Sequence, residues 1–110
     1  MTTLSKHLVL QKTRAQSLKD VTKINLWGSD LSDVSILARC PRVEVLSLSV
    51  NHISSLAVFA QCPQLKELYL RNNDVADLAE VEHLATLSHL RVLWLWDNPC
   101  ADTPDYRARR

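Results

Sequence analysis

Apolar residues recur along this chain in a fixed register. Leu90, Leu93, Leu95 and Cys100, with Asn98 between the last two, fit the spacing L-x-x-L-x-L-x-x-N/C-x-L. Upstream, the same register holds Val21, Ile24, Leu26, Ser29, Leu31 and Val34; then Val43, Leu46, Leu48, Asn51, Ile53 and Leu56; then Leu65, Leu68, Leu70, Asn73, Val75 and Leu78. The copies start at 21, 43, 65 and 90, so the steps are 22, 22 and 25 residues. Scattered leucines would not keep an asparagine in phase. Alternation within each copy predicts a short strand with two residues pointing inward and the residues between and after them pointing outward.

The register has a chemical reason. A copy this short buries its apolar side only by stacking on its neighbours, and the asparagine amide bonds backbone groups that stacking removes from water. Each fully buried leucine contributes about 1.5 to 3 kcal/mol. Ser29 stands in for asparagine in the first copy, which predicts shorter and weaker bonding there. The pattern predicts an α/β leucine-rich-repeat fold: a right-handed solenoid with a short parallel β-sheet on its concave face and helical convex returns. The chain reads as one domain, 1–110, with an N-terminal capping helix over 1–20, four repeats over 21–100 and an incomplete C-terminal cap over 101–110. Leu4, Leu8, Ala15, Leu18 and Val21 form the stripe expected to face the core. The same basic, acid-free stretch before Asp20 also suits a mitochondrial transit peptide in composition, although a solenoid's first repeat needs a cover. The third return is longer. Asp77 and Glu80 resemble a capping box, and Leu78, Val81, Leu84 and Leu87 predict a true helix over 78–87, with shorter helical turns on the earlier returns.

Length suits a single domain, and 46% hydrophobic residues supply a core. Thirteen basic against twelve acidic residues, a net charge of +1, disfavour direct nucleic-acid binding. No apolar run reaches membrane-spanning length, and with Gly28 as the one glycine no phosphate loop is written here. Three cysteines without C-x-x-C, and no N-x-S/T sequon, point to an intracellular compartment.

Candidate chemistry is sparse. His7, His52, His83 and His89 lack metal-ligand spacing and read as solvated side chains. Asp30, Asp33, Asp74 and Asp77 fall in equivalent turns and suit turns and caps rather than a calcium site. Cys40 and Cys62 take an apolar stacking position on the returns, and Cys100 takes the position of Leu31, Ile53 and Val75; all three read as packing thiols. No cofactor, metal or catalytic constellation is expected. The outward strand positions say more. Asn25, Ser47, Tyr69 and Trp94 form one column, and Trp27, Ser49, Arg71 and Trp96 the next, with Lys66 and Glu67 beside them. These ten residues are the expected partner-binding surface: a shallow pit over Ser47 and Ser49, walled by Trp27 and by Tyr69 with Arg71. Trp, Tyr and Arg dominate binding hot spots, whereas mutual shielding of the strands is the competing account of the aromatics.

The runs Lys23-Ile24-Asn25-Leu26-Trp27-Gly28-Ser29, Glu44-Val45-Leu46-Ser47-Leu48-Ser49-Val50-Asn51, Glu67-Leu68-Tyr69-Leu70-Arg71 and Leu90 to Leu95 with Asn98-Pro99-Cys100 resemble one family. It is the leucine-rich-repeat member of the cilia- and flagella-associated proteins. The resemblance implies an intracellular adaptor of the cytoplasm and cytoskeleton, at the basal body and ciliary base. It further implies a NIMA-related kinase as partner and roles in cilium assembly and the DNA-damage response. Family members continue past the Asn-Pro-Cys turn into a cap and a C-terminal helical oligomerisation region. Tyr106-Arg107 begin that cap and the sequence stops at Arg110, so contacts made through that region are not assigned to this chain, which is expected to be monomeric. A phosphatase regulatory subunit and a spliceosomal-type RNA-particle component are the alternative readings of the same repeats.

Overall fold

The computed structural model describes residues 1–102. Four strands, β2 (Lys23–Asn25), β4 (Val45–Ser47), β5 (Glu67–Tyr69) and β6 (Val92–Trp94), lie side by side in sequence order. All pairs are parallel, and Ile24, Leu46, Leu68 and Leu93 stand abreast, one per copy. Each strand is three residues long, one inward residue flanked by two that face out. Alternation then sends Ile24, Leu46 and Leu68 into the core, while Asn25, Ser47, Tyr69 and Trp94 face out in register. In the last copy Leu90 and Leu93 are only partly buried, whereas Leu95 and Cys100 are buried.

The returns are helical, but they are 3₁₀ rather than α. They run over Ser35–Arg39, Ala57–Gln61 and Leu78–Leu84, with a further turn at Pro99–Asp102. The expected helix over 78–87 is therefore corrected to a 3₁₀ segment of seven residues. The reason lies in the apolar spacing. Val34, Leu37, Cys40 and Val43 fall every three residues, as do Leu56, Phe59, Cys62 and Leu65, and Leu78, Val81, Leu84, Leu87 and Leu90. A period of three matches the three residues per turn of a 3₁₀ helix, whereas an α-helix would rotate each successive member of the row by about 60° away from the core. Backbone amides of Leu37, Cys40 and Val43 accordingly bond carbonyls three residues back, and Phe59, Cys62 and Leu65 repeat this. The three extra residues of the third return make one more such turn. The expected capping box forms only by half. The Asp77 carboxylate accepts from the Ala79 amide, whereas Glu80 reaches across to accept from the Leu56 amide on the preceding return.

At the N-terminus the expected helix over 1–20 is also corrected. Strand β1 (Thr2–Thr3) pairs with β3 (Leu31–Asp33), helix α1 spans only Lys6–Thr13, and a 3₁₀ turn follows at Leu18–Asp20. Ser5 caps α1 by accepting from the Leu8 amide. Val9 is the buried residue of α1, with Leu4 before it and Leu18 and Val21 after it, whereas Leu8 and Ala15 are only partly buried. The stripe assumed one continuous helix, but Arg14 at φ 59° ends α1 and turns the chain, so Leu4 and Leu18 reach the core from different elements. The expected cap over 101–110 falls, beyond Asp102, outside the described residues. Among the described residues, no helix is long and apolar enough to cross a membrane.

The asparagine column joins the copies. Asn51 Oδ1 accepts from the amides of Ser29 (3.1 Å) and Leu31 (2.9 Å), while its Nδ2 donates to the carbonyls of Leu26 and Leu48. Asn73 does the same for Ile53 and Leu48, and Asn98 for Val75 and Leu70. Each side chain thus closes the turn before its own. Ser29 has no earlier repeat to close, and its hydroxyl reaches only the Trp27 carbonyl at 3.4 Å. The residue before each of these positions is left-handed: Gly28 (φ 63°), Val50 (61°), Asn72 (56°) and Asp97 (61°). A β-branched valine is the poorest fit among them, since left-handed backbone crowds its Cβ. Val50→Asn is therefore expected to raise stability by about 1 kcal/mol in urea unfolding. Asn73→Ala leaves the buried Ile53 amide without a partner, while the Leu48 and Leu70 carbonyls keep their bonds from Asn51 and Asn98, and it is expected to cost about 2 kcal/mol in the same measurement.

Candidate functional site

Strand alternation places the outward columns on the concave face, and the side chains there touch across strands. Tyr69 meets Trp94 edge to face, with ring centroids 4.6 Å apart and planes at 81°. Trp94 stacks on Trp96 at 4.9 Å and 28°. Both tryptophans keep much of their surface in water, 40% and 45% exposed, and Trp27 at the other end of the face is 63% exposed. Between them, the small side chains of Ser47 and Ser49 leave a depression of about 330 Å³, lined by Trp27, Ser47, Ser49, Tyr69, Arg71 and Trp94. Its width follows from strand spacing: Trp27 and Arg71 sit two strands apart, about 10 Å, with Ser49 between them.

The other four expected site residues stand around this depression. Trp96 backs Trp94. Asn25 accepts from the Trp27 amide, fixing the strand exit. Glu67 accepts a 2.5 Å hydrogen bond from the Tyr69 hydroxyl, and Arg91 approaches its other oxygen at 3.4 Å. Lys66 is turned to the edge of the face, 3.0 Å from Glu44. Arg71 donates through Nε to Asp97 at 3.0 Å, which holds the guanidinium beside the depression. The Tyr69 and Arg91 bonds hold the Glu67 carboxyl below the usual carboxylate range. That same carboxylate pushes the Tyr69 phenol above its ordinary value.

One cluster escaped the sequence reading. His52 is not a merely solvated side chain: its Nε2 lies 2.8 Å from Asp30 and its Nδ1 3.5 Å from Asp74. Asp30, His52 and Asp74 occupy the same position in successive copies, and that spacing of 22 was the available signal. The N-terminal ammonium, 3.4 Å from Asp30, and the bond from His52 hold that carboxyl below its ordinary value. Asp33 accepts from the Ser35 amide, so it serves as a turn cap, as does Asp77. Cys40, Cys62 and Cys100 are buried. Burial pushes the Cys62 thiol up to about 12, and its Sγ bonds the Leu37 carbonyl. Among the described residues, no group of histidines, cysteines and carboxylates is arranged to hold a metal ion.

Repeated parallel strands, 3₁₀ returns and an asparagine column define a leucine-rich-repeat scaffold, a class built for protein interaction. The family description "Leucine Rich repeats (2 copies)" matches residues 41–83 and 63–107, and the chain belongs to that family. It is similar over 106 residues to cilia- and flagella-associated protein 410 of Homo sapiens, at 47% identity over 96% of this chain and 41% of that protein. The Mus musculus protein of the same name is 45% identical, over 96% of this chain and 43% of its own length. The chain thus spans about two fifths of the length of these relatives. Among solved structures, a leucine-rich-repeat protein of Leptospira interrogans superposes with a TM-score of 0.71 at 26% identity, over 98% of this chain and 26% of that one.

The Tyr69–Glu67 bond is open to a titration. Glu67→Gln removes the carboxylate that opposes phenolate formation, so the Tyr69 pKa is expected to fall back toward 10.0, its ordinary value, in an NMR titration of the ring. The sign for stability follows: the Tyr69 contribution is present at neutral pH and is lost as pH rises through its raised pKa. That alkaline loss is expected to shrink in Glu67→Gln.

Proposed function

We propose that this domain is a non-catalytic protein-interaction module of a ciliary or flagellar basal-body adaptor, with the concave face as its docking surface. The observation that carries the reading is the half-exposed aromatic group Tyr69, Trp94 and Trp96 beside a depression with Arg71 at its wall. Such rings offer large, stiff contact area, and burying them under a partner gains free energy that water contact forgoes. Similarity to the ciliary relatives supports the setting, the cytoplasm and cytoskeleton at the base of the cilium, and a role in cilium assembly. The partner is a protein, and a NIMA-related kinase is the candidate that the family resemblance supplies. The domain binds it as a monomer, through Asn25, Trp27, Ser47, Ser49, Lys66, Glu67, Tyr69, Arg71, Trp94 and Trp96.

Mutual shielding is the competing account, and it separates cleanly. In capture from ciliated cells, Tyr69→Ala and Trp94→Ala are each expected to weaken partner recovery by an affinity loss of about 2 kcal/mol, with melting temperature nearly unchanged. Normal recovery by both variants would defeat the concave-face reading. Recovery of phosphatase rather than kinase subunits would move it to a phosphatase regulator. Leu70→Asp serves as the folding control, since it buries an unpaired carboxylate and is expected to unfold the domain.

A further inference from the structure

The near-neutral net charge conceals a separation along the molecule. Residues 1–42 hold seven Lys and Arg against three Asp, whereas residues 43–110 hold six Lys and Arg against nine Asp and Glu, the acids concentrated in the repeats. At physiological salt the Debye length is about 8 Å, so charges in the N-terminal cap are largely screened from those in the last repeats. Lys6 and Lys12 of α1, Arg14 at its end, Lys19 of the next 3₁₀ turn and Lys23 of β2 are all exposed. The first four belong to the N-terminal end, because α1 packs against that turn, whereas Lys23 shares the outward side of β2 with Asn25 and acts on Glu67 across the concave face. None of the five forms an ion pair with a described residue. The nearest acid in sequence, Asp20, is engaged by Arg42 and by the Ser17 hydroxyl.

A lysine on an edge strand deters unwanted pairing, and that accounts for Lys23 alone. Arg14 is harder to explain as structure. It ends α1 at φ 59°, a left-handed position where glycine is the relaxed choice, and its backbone amide makes the closing bond to the Leu10 carbonyl whatever the side chain. The charge of Arg14 therefore sits at a backbone position that stability alone would give to glycine.

We propose that this N-terminal end is a second docking surface, separate from the concave face, for an acidic polypeptide segment. Charge complementarity selects the sign of the partner. The acidic remainder of the solenoid selects its size: a nucleic acid strand, anionic throughout, meets repulsion from residues 43–102, whereas a short acidic stretch reaches only the basic end. The exposed side of α1, His7, Gln11 and Lys12, holds no large apolar residue to insert into lipid or stack on a base.

The probe is a short fluorescent peptide of alternating glutamate and serine, titrated with the folded protein from about 20 to about 200 mM salt. Expected are binding that weakens steadily with salt, a loss of roughly tenfold in Lys12→Glu with Lys19→Glu, and no change in Glu82→Gln in the acidic half. Arg14→Gly is expected to raise the melting temperature while weakening binding roughly threefold, a pairing that a purely structural Arg14 would not give. Absence of binding at the lowest salt, or an unchanged affinity in the double variant, would overturn the proposal. So would tighter, equally Lys12- and Lys19-dependent binding of oligouridylate or of phosphatidylserine vesicles, which would assign the surface to nucleic acid or to lipid.

Discussion

The asparagine amide that closes the preceding turn is the interaction on which the rest depends. Stacked turns leave backbone groups at every strand exit with neither water nor a ladder partner. One side chain with a double acceptor and two donor hydrogens answers that need in a single position. Asn51, Asn73 and Asn98 each bridge two turns, and Leu48 and Leu70 lend their carbonyls to the asparagine of their own copy and to the next. Because these bonds fix how successive turns sit, they also fix the register in which Ser47, Tyr69 and Trp94 stand abreast. The concave face is a by-product of the core's polar accounting.

On the opposite side, the period-three returns keep every turn equally thin. Each presents Cys, Leu or Phe to the core at the same phase, and the longer third return adds one whole 3₁₀ turn rather than a change of phase. Identity at the inward positions leaves the outward positions chemically independent. That independence is why aromatics, serines and an Arg–Asp pair share one sheet without disturbing it.

Much of this was legible in the sequence. The inward leucines, the asparagine phase and the outward columns followed from alternation, which strand geometry enforces directly. The third return was misread as a true helix because periods of 3 and 3.6 differ little over ten residues, and the even steps from Leu78 to Leu90 carried the answer; the shorter helical turns expected on the earlier returns are there. The β1–β3 pairing left no trace, since two threonines contain no pattern and the pairing is set by tertiary contact. His52 with Asp30 and Asp74 was readable only by comparing copies position by position rather than looking for local motifs. The depression was legible in outline, because small residues between large ones in a known register leave space, but ring orientations and the Glu67–Tyr69 bond depend on rotamers that spacing does not specify.

The backward reach of each asparagine has a consequence for synthesis. A chain made from its N-terminus exposes Leu26, Ser29 and Leu31 well before Asn51 arrives to satisfy them. Every turn therefore stays unfinished until the following one has left the ribosome, and completed structure trails the growing end by a full repeat. At ordinary elongation rates that delay is about one to four seconds per repeat, during which the newest leucines are open to chaperones, and the finished part of the solenoid advances in steps rather than continuously.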